Sequence, residues 1–513
     1  MTWRSRDLAL TVALAALVGL TVWARLPGAL HESLWADEVY SARTIVEPST
    51  REALYRVSQE SSPPGWFVLA RVTHRLGAEP VTVRLLSVLF SAALTVLVVL
   101  YARRRLPLPG ALLAGLLAAL AYQPVFHGKE LRPYALLALL ALGFVMTLEA
   151  AAARPSRGRL ALLAAVSVAG ALTHYFFLLA VAVGLLWLWS SGPGPRRPAV
   201  TAASLAGLVP LLAWAPKIVA QAGRVDTYFS QVTWDRVLWL YSNIVSSASV
   251  WERAGEGVRY VVLALVLAGA AVLARRREGR LAALMVVVPV AVTVAVSLAG
   301  LHVFSTRNLI VVAPFACMAL AAVPSAIPSR PLALAATIAV AVGAVWSFSL
   351  DRQRDRTPYD RVGEAMTDLG WTGAEPVVLF GSTQVELEMT AQVALNQRAP
   401  LGWHLPGHPQ LRPAVPRRGA CEHAYVLAVS PEGLDWLASH RERVVGERPL
   451  PYYGRRSDGE RSPTDMVVAE VEWTGELVKA VRSQGSALFF VRGEAPPACL
   501  RPKPFPPGAG RLF

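Results

Sequence analysis

A chain of 513 residues, 54% of them hydrophobic and with a mean hydropathy of +0.42, is too apolar for an ordinary soluble protein. The net charge of +15 would suit a nucleic-acid partner, but its distribution excludes one: residues 351–513 hold 20 basic and 20 acidic side chains, residues 1–350 hold 30 and 15. The excess lies between apolar runs, in the clusters Arg103-Arg104-Arg105, Arg154/Arg157/Arg159, Arg196-Arg197 and Arg275-Arg276-Arg277 with Arg280, as in the cytoplasmic loops of a membrane protein.

Apolar runs near the ~20 residues that cross a bilayer recur over the first 350 positions. The first follows Arg4 and Arg6, yet Trp23-Ala24-Arg25-Leu26-Pro27 is a poor cleavage site and further spans follow, so it reads as a retained anchor rather than a signal peptide. Eleven spans are predicted, at about 8–25, 82–102, 110–126, 133–152, 160–173, 175–190, 199–215, 258–274, 281–300, 306–323 and 331–350. With Arg4 and Arg6 inside, every arginine cluster and Arg330 fall on inner connections, and the tail after residue 350 lies outside. Thr173-His174-Tyr175 then serves as a very tight outer turn.

Two outer connections are long. The first, about 26–81, carries Asp37–Glu38 in the run Leu34-Trp35-Ala36-Asp37-Glu38-Val39-Tyr40. It also carries Pro63-Pro64-Gly65-Trp66-Phe67-Val68-Leu69-Ala70, which Arg71, His74 and Arg75 interrupt. That piece is too short and charged to span, and reads as an amphipathic helix along the outer surface. The other, about 216–257, is aromatic, with Tyr228, Phe229, Trp234, Trp239, Tyr241 and Trp251. It fits either interfacial anchoring or a sugar- and lipid-facing lip over a site.

Residues 351–513 read as a separate soluble domain with a small α/β layer. Strand-like runs at 376–380, 424–429 and 487–491 alternate with helix-like stretches at 383–395 and 431–445, and the end from Pro496 on looks irregular. His404 and His408 are four apart, but Pro406 and Gly407 lie between them, so no helix presents them as a ligand pair. Neither this domain nor the rest indicates a cofactor, and no spacing points to a divalent metal. Cys317 reads as a small core residue of a span. Cys421 and Cys499 share the tail, where an outside location permits a disulfide.

Ionisable groups at membrane depth are costly and invite a functional hypothesis. Arg84 opens the second span. Lys129, Glu130 and Arg132 stand in Phe126-His127-Gly128-Lys129-Glu130-Leu131-Arg132-Pro133-Tyr134, and Arg307 opens the tenth span in Ser305-Thr306-Arg307-Asn308. Lys129 and Lys217 are the only lysines of the membrane part, against 28 arginines. Four cations on the face that carries two carboxylates would clamp a phosphate while a carboxylate acts as base.

These motifs resemble those of the GT-C class of polytopic glycosyltransferases, in particular the protein-O-mannosyltransferase and lipid A aminoarabinose-transferase relatives. The likeness rests on Asp37–Glu38 in the first outer loop, Pro63-Pro64-Gly65-Trp66, and Val83-Arg84-Leu85-Leu86-Ser87. It continues in Arg132-Pro133-Tyr134-Ala135-Leu136-Leu137, His174-Tyr175 and Arg307-Asn308-Leu309, and covers about residues 1–325. Each motif is short; their order and membrane side make the match. The resemblance implies a GT-C-like helical membrane domain (1–350) in the plasma (inner) membrane of a bacterium; the extracytoplasmic α/β accessory domain (351–513) that follows rests on the arginine placement and strand pattern alone, and resembles no family pattern.

It further implies transfer of one sugar, a hexose such as mannose or an aminopentose, from a polyprenyl phosphate to a lipid, glycan or protein acceptor, with inversion. A single displacement needs one carboxylate to take the acceptor proton, assigned to Asp37, with Glu38 orienting it or a cation. The leaving phosphate needs electrostatic stabilisation, assigned to Arg84, Lys129, Arg132 and Arg307. Tyr134, His174 and Tyr175 are expected to contact substrate. A flippase or transporter of lipid-linked saccharides would also have many spans and intramembrane cations, but no paired internal repeat or symmetric broken helix is evident. A pseudoenzyme scaffold acting through the tail is the third possibility.

Overall fold

The computed structural model describes residues 3–32, 34, 36–60, 62–78, 80–191, 197–222, 232–246, 248–301, 303–352, 359–372, 375–380, 411–416, 421–428, 431–453, 463–483, 487–492 and 499–502. The chain forms two compact units: Met1–Ala29, Glu47–Ala78 and Thr82–Gln353 in one, and Leu30–Val46, Glu79–Val81 and Arg354–Phe513 in the other. The second unit thus takes in the stretch that bears Asp37 and Glu38.

In chain order the helices are α1 (Trp3–His31), α2 (Ala36–Val46), α3 (Thr50–Gln59), α4 (Gly65–Arg75), α5 (Pro80–Val83), α6 (Leu85–Ala102), α7 (Leu108–Leu120), α8 (Tyr122–His127), α9 (Tyr134–Ala153) and α10 (Arg157–Thr173). They continue with α11 (Phe177–Ser190), α12 (Arg197–Leu205), α13 (Leu208–Ala222), α14 (Trp234–Val245), α15 (Ala248–Ala254), α16 (Gly257–Ala274), α17 (Arg280–Leu298), α18 (Ala313–Ser325) and α19 (Arg330–Arg352). Side-chain caps start several of them: Ser49, Ser156 and Thr233 accept from the backbone N–H of Glu52, Arg159 and Arg236.

Among the described residues, eight helical stretches are long and apolar enough to cross a membrane: Leu8–His31, Leu85–Ala102, Tyr134–Ala153, Arg197–Gln221, Gly257–Ala274, Arg277–Leu298, Asn308–Ser325 and Arg330–Leu350. The other three expected spans correspond to the shorter α7, α10 and α11. Some boundaries differ from the sequence reading. Helix α1 runs on to His31, so the first long connection starts later than residue 26. The third span is cut at Ala121, whose extended backbone (ψ 145°) separates α7 from α8. The tenth opens with a 3-10 turn, Asn308–Val312.

The bundle core runs from Leu94, Val98 and Tyr101 of α6 through Leu137, Phe144 and Leu148 of α9 to Phe315, Met318 and Leu320 of α18, with Cys317 fully enclosed. Small residues let the helices approach closely. A Cβ on Gly269 of α16 would lie 1.8 Å from the carbonyl oxygen of Ala319 on α18, so any larger residue would force these helices apart. Two aromatics expected at a lip belong to packing instead. Tyr241 is buried and donates to the Val286 carbonyl at 2.8 Å, and Trp251 is buried beneath the Arg259 guanidinium, 5.3 Å from its ring centre. Trp234 is exposed, and Tyr228 and Phe229 lie outside the described residues.

The second unit contains α20 (Tyr359–Asp368), β1 (Val377–Phe380), β2 (Leu411–Pro416), β3 (His423–Ala428), α21 (Pro431–Ser439), β4 (Val444–Tyr453), β5 (Pro463–Glu472), α22 (Gly475–Ser483), β6 (Ala487–Arg492) and β7 (Leu500–Pro502). The strands form one mixed sheet in the order β4-β5-β3-β1-β6-β2-β7, with β1 and β3 parallel and the other pairs antiparallel. All four residues of central β1 are buried. Val378 and Phe380 point to a core with Trp436, Leu437, Leu477 and Val481 of α21 and α22; Val377 and Leu379 point to another with Val362 and Met366 of α20. The sheet is therefore covered on both faces, which is why its centre reads as a continuous apolar run. Pro449 and Pro451 sit on the edge strand β4, where a missing N–H is tolerated.

The predicted strands fall on β1, β3 and β6. The helix expected over 431–445 instead ends at Ser439 and gives way to β4, and the supposedly irregular end contributes β7. Cys421 and Cys499 form a disulfide. The stretch 383–395, His404 and His408 lie outside the described residues.

Candidate active site

The loop between α8 and α9, residues 128–133, brings most of the predicted cations and aromatics together. Glycine is required at its first position. A Cβ on Gly128 would meet Nε of Arg25 at 2.3 Å and Oγ of Ser91 at 2.5 Å. Arg25 itself is fully buried, donating to the carbonyls of Ala119 (2.8 Å) and Ala118 (3.1 Å) at the end of α7 and of Thr21 (3.1 Å) in its own helix. It thereby caps the α7 C-terminus with positive charge.

Past Gly128 the loop is pinned at Glu130. The Glu130 backbone carbonyl accepts from Ser87 Oγ at 2.6 Å, and its fully buried carboxylate accepts from His127 Nδ1 at 2.8 Å. Arg132 is buried, and its Nη1 donates to both carboxylate oxygens of Glu60, at 3.1 and 3.2 Å. Glu60 follows α3 and precedes Pro63-Pro64. The guanidinium carbon of Arg132 is 5.9 Å from the Tyr134 ring centre.

Tyr134, at the N-terminus of α9, stands between two imidazoles: its ring centre is 4.7 Å from that of His127 and 5.9 Å from that of His174. His174 occupies the turn between α10 and α11, where its Nδ1 accepts from the Phe176 backbone N–H at 3.2 Å. A neutral ring in that setting carries its proton on Nε2. Burial pushes the His174 pKa down to about 3, helped by the charges of Arg132 and Arg307. This coupling places both arginines in the electrostatic surroundings of His174. Arg307 is half-buried and caps the 3-10 turn Asn308–Val312; Lys129 is also half-buried. The neighbouring carbonyl of Thr306 accepts from Nε2 of Gln123 at 3.3 Å.

Two predicted residues turn elsewhere. Arg84 is fully buried at the start of α6 and reaches the last carbonyls of the first unit's α1 segment, Ala29 at 3.3 Å and Gly28 at 3.5 Å. Tyr175 donates to Oε1 of Gln221 at 2.7 Å, while Nε2 of Gln221 donates to the carbonyls of Val57 and Ser58 at 3.3 and 3.4 Å. Through Gln221 the Tyr175 hydroxyl thus ties this turn to α3.

Asp37 and Glu38 belong to the other unit. They form the first turn of α2, where the helix dipole favours a carboxylate; Asp37 is half-buried and Glu38 fully buried. The sequence reading had them on a loop. The Asp37 carbonyl accepts from Ser41 Oγ at 3.1 Å, an ordinary helical contact.

Sequence reasoning missed Glu60 and left Glu130 without a role. Glu60 is set where the buried Arg132 needs an acidic partner and Glu130 where His127 Nδ1 needs an acceptor, and the only sequence signal was a lone acid beside each arginine-bearing or proline-rich motif. In chemical terms, the first unit presents buried or half-buried cations whose fields overlap, a neutral histidine and a tyrosine ring, a composition suited to an anion and its attached polar group. Among the described residues, no group of three or more His, Cys, Asp or Glu side chains is arranged to hold a metal ion.

No protein-family model and no curated protein matches the chain. Solved structures with a similar backbone include ArnT from Cupriavidus metallidurans in the apo state, with 14% identity, a TM-score of 0.48, and coverage of 91% of this chain and 98% of that one. The Archaeoglobus fulgidus oligosaccharyltransferase complex with zinc and sulfate shares 11% identity at a TM-score of 0.40, over 70% of this chain and 56% of that one. The Mycobacterium smegmatis arabinosyltransferase EmbB shares 12% at 0.39, over 96% and 64%. These neighbours belong to the GT-C class that the sequence motifs resemble.

Proposed function

We propose that this chain is a membrane-embedded glycosyltransferase that moves one sugar, a hexose such as mannose or an aminopentose, from a polyprenyl phosphate to an acceptor hydroxyl at the outer face. The observation that carries the reading is the overlap of Arg132 and Arg307 at the neutral, buried His174, beside Tyr134 and the loop that bears Lys129. Cations gathered at the ends of apolar helices, one of them held by the half-buried carboxylate of Glu60, are costly unless they serve an anion.

In this reading the acceptor oxygen attacks the anomeric carbon as the bond from that carbon to the phosphate oxygen breaks, inverting the centre. The phosphate leaves with the bonding electron pair, and Lys129, Arg132 and Arg307 stabilise its charge, with Arg84 holding the end of α1 beside them. The acceptor proton goes to the carboxylate of Asp37, which Glu38 orients. His174, with its Nε2 proton, and Tyr134 contact the sugar or phosphate, and Tyr175 fixes the turn that carries His174. The acceptor is a lipid, glycan or protein, with the sheet domain as an accessory on the outer side.

The test is release of polyprenyl phosphate from a panel of polyprenyl-phosphate sugars by the full-length protein in membranes. Lys129→Ala and Arg132→Ala should weaken both turnover and affinity for the lipid-phosphate product, because a charge-assisted bond is lost. Arg132→Lys, which keeps charge without a planar fork, should fall between wild type and Ala. Transbilayer movement of lipid-linked saccharides without sugar release would replace this reading with the carrier.

A further inference from the structure

The opposite end of the same bundle carries a second basic site. Helices α6 and α9 run side by side, joined at one end by Ser87 and Glu130 and at the other by Arg105 and Glu149. An 18-residue α6 is about 27 Å long, so the two ends are separated by nearly the hydrocarbon thickness of a bilayer.

At this second end Arg105, just past α6, is a fixed post. Its Nη2 donates to Oε1 of Glu149 at 2.7 Å, its Nη1 to the Tyr101 carbonyl at 2.9 Å and its Nε to the Glu278 carbonyl at 2.6 Å, while the guanidinium stacks 3.5 Å from the Tyr101 ring centre. The post forms one wall of a cavity of about 250 Å³. Leu106, Val272 and Leu273 give it an apolar side, and Arg275 and Arg276 stand exposed at its rim. Arg276 is steadied by donating to the Arg105 carbonyl at 3.0 Å. Glu149 already neutralises Arg105, so the charge of the rim pair is available to a ligand.

We infer that this cavity binds the phosphate headgroup of an anionic phospholipid, with the phosphate on Arg275 and Arg276 and the glycerol portion against the apolar wall. Its volume corresponds to about eight waters at ~30 Å³ each, enough for a phosphoglycerol group. A lipid is favoured over a soluble phosphate because the cavity lies where Leu85–Ala102, Gly257–Ala274 and Asn308–Ser325 end, at headgroup level if these helices span, and because one side is apolar. Arg103 and Arg104 lie on the same end and are exposed, but do not line the cavity. They supply a control for general surface charge.

The experiment measures thermal stability and retained lipid by native mass spectrometry for the full-length protein in detergent, titrated with phosphatidylglycerol, phosphatidylcholine or water-soluble glycerol 3-phosphate. Phosphatidylglycerol alone should stabilise the wild type and remain bound. Arg275→Gln with Arg276→Gln should weaken that binding on the order of 30-fold, since each of the two cations near a lipid surface contributes about 1 kcal/mol. Arg103→Gln with Arg104→Gln should leave it intact, and Arg275→Lys with Arg276→Lys should largely preserve it, which guards against a folding defect in the Gln pair. Equal loss in the Arg103/Arg104 control would overturn the site in favour of diffuse charge. Equal stabilisation by glycerol 3-phosphate would overturn the lipid source, and full retention in the Arg275/Arg276 variant would overturn both.

Discussion

Nη1 of Arg132 spans both carboxylate oxygens of Glu60, at 3.1 and 3.2 Å, so the cation that opens α9 is tied to the residue that follows α3. The pair is largely shielded from solvent, with side-chain exposures of 7% and 14%. In the proposed reaction Arg132 therefore has two duties, holding these segments together and offering positive charge to the leaving phosphate.

Removing one partner of such a pair leaves a buried charge unmatched, which costs about 3–5 kcal/mol. Arg132→Ala should accordingly lower thermal stability in detergent. Combining it with Glu60→Gln should recover a substantial part of that loss while product affinity stays low. A double-mutant cycle with no coupling would mean that the pair contributes nothing to the fold.

Gly128→Ala places a methyl group where Nε of Arg25 and Oγ of Ser91 already lie, at 2.3 and 2.5 Å. Neither neighbour can retreat freely, because Arg25 is fixed by three carbonyls. Overpacking of this kind costs about 1–3 kcal/mol. Turnover should fall with it, since the displaced loop carries Lys129 and Arg132. Gly158→Ala, with open space around it, serves as the neutral comparison.

The burial of His174 sets an acid limit. Its folded pKa is about 3, against roughly 6.5 in an unfolded chain. Between these values the unfolded state binds the extra proton, so His174 contributes stability that is fully present above pH ~6.5 and is lost as pH falls toward 3. Melting temperature should decline from neutral pH to pH 4, and His174→Gln should flatten part of that slope. An unchanged slope would show that His174 is not held neutral.

The disulfide Cys421–Cys499 closes a loop with a sequence separation of 78 residues in the sheet domain. Replacing both cysteines with serine should destabilise that domain by about 2–5 kcal/mol. Limited proteolysis should find new cleavage there. Binding of the lipid-phosphate product should be less affected, because the cation cluster belongs to the other unit.

Long-period features were legible in the sequence. The eight long apolar segments became helix because ~20 apolar residues leave the backbone few other ways to satisfy itself in a membrane, and the three shorter ones are helical too. The strands β1 and β3 were legible for a related reason, being buried on both faces and hence continuously apolar. Edge strand β4 was not, since Pro449 and Pro451 erase its signal. In the site, Arg132, Arg307, Tyr134 and His174 could be named because charge or an aromatic at a helix end stands out. Glu60 could not: an acid on a short solvent-like helix end looks the same in sequence whether or not an arginine 72 residues away reaches it.

The most direct test of the proposed reaction is Asp37→Asn, assayed for sugar transfer and for binding of the polyprenyl-phosphate product in the same membranes. The substitution keeps shape and removes proton affinity, so turnover should drop by a factor on the order of 10²–10⁴ while product affinity is retained. Full transferase activity in Asp37→Asn, at normal protein level, would contradict the assignment of this carboxylate as the base.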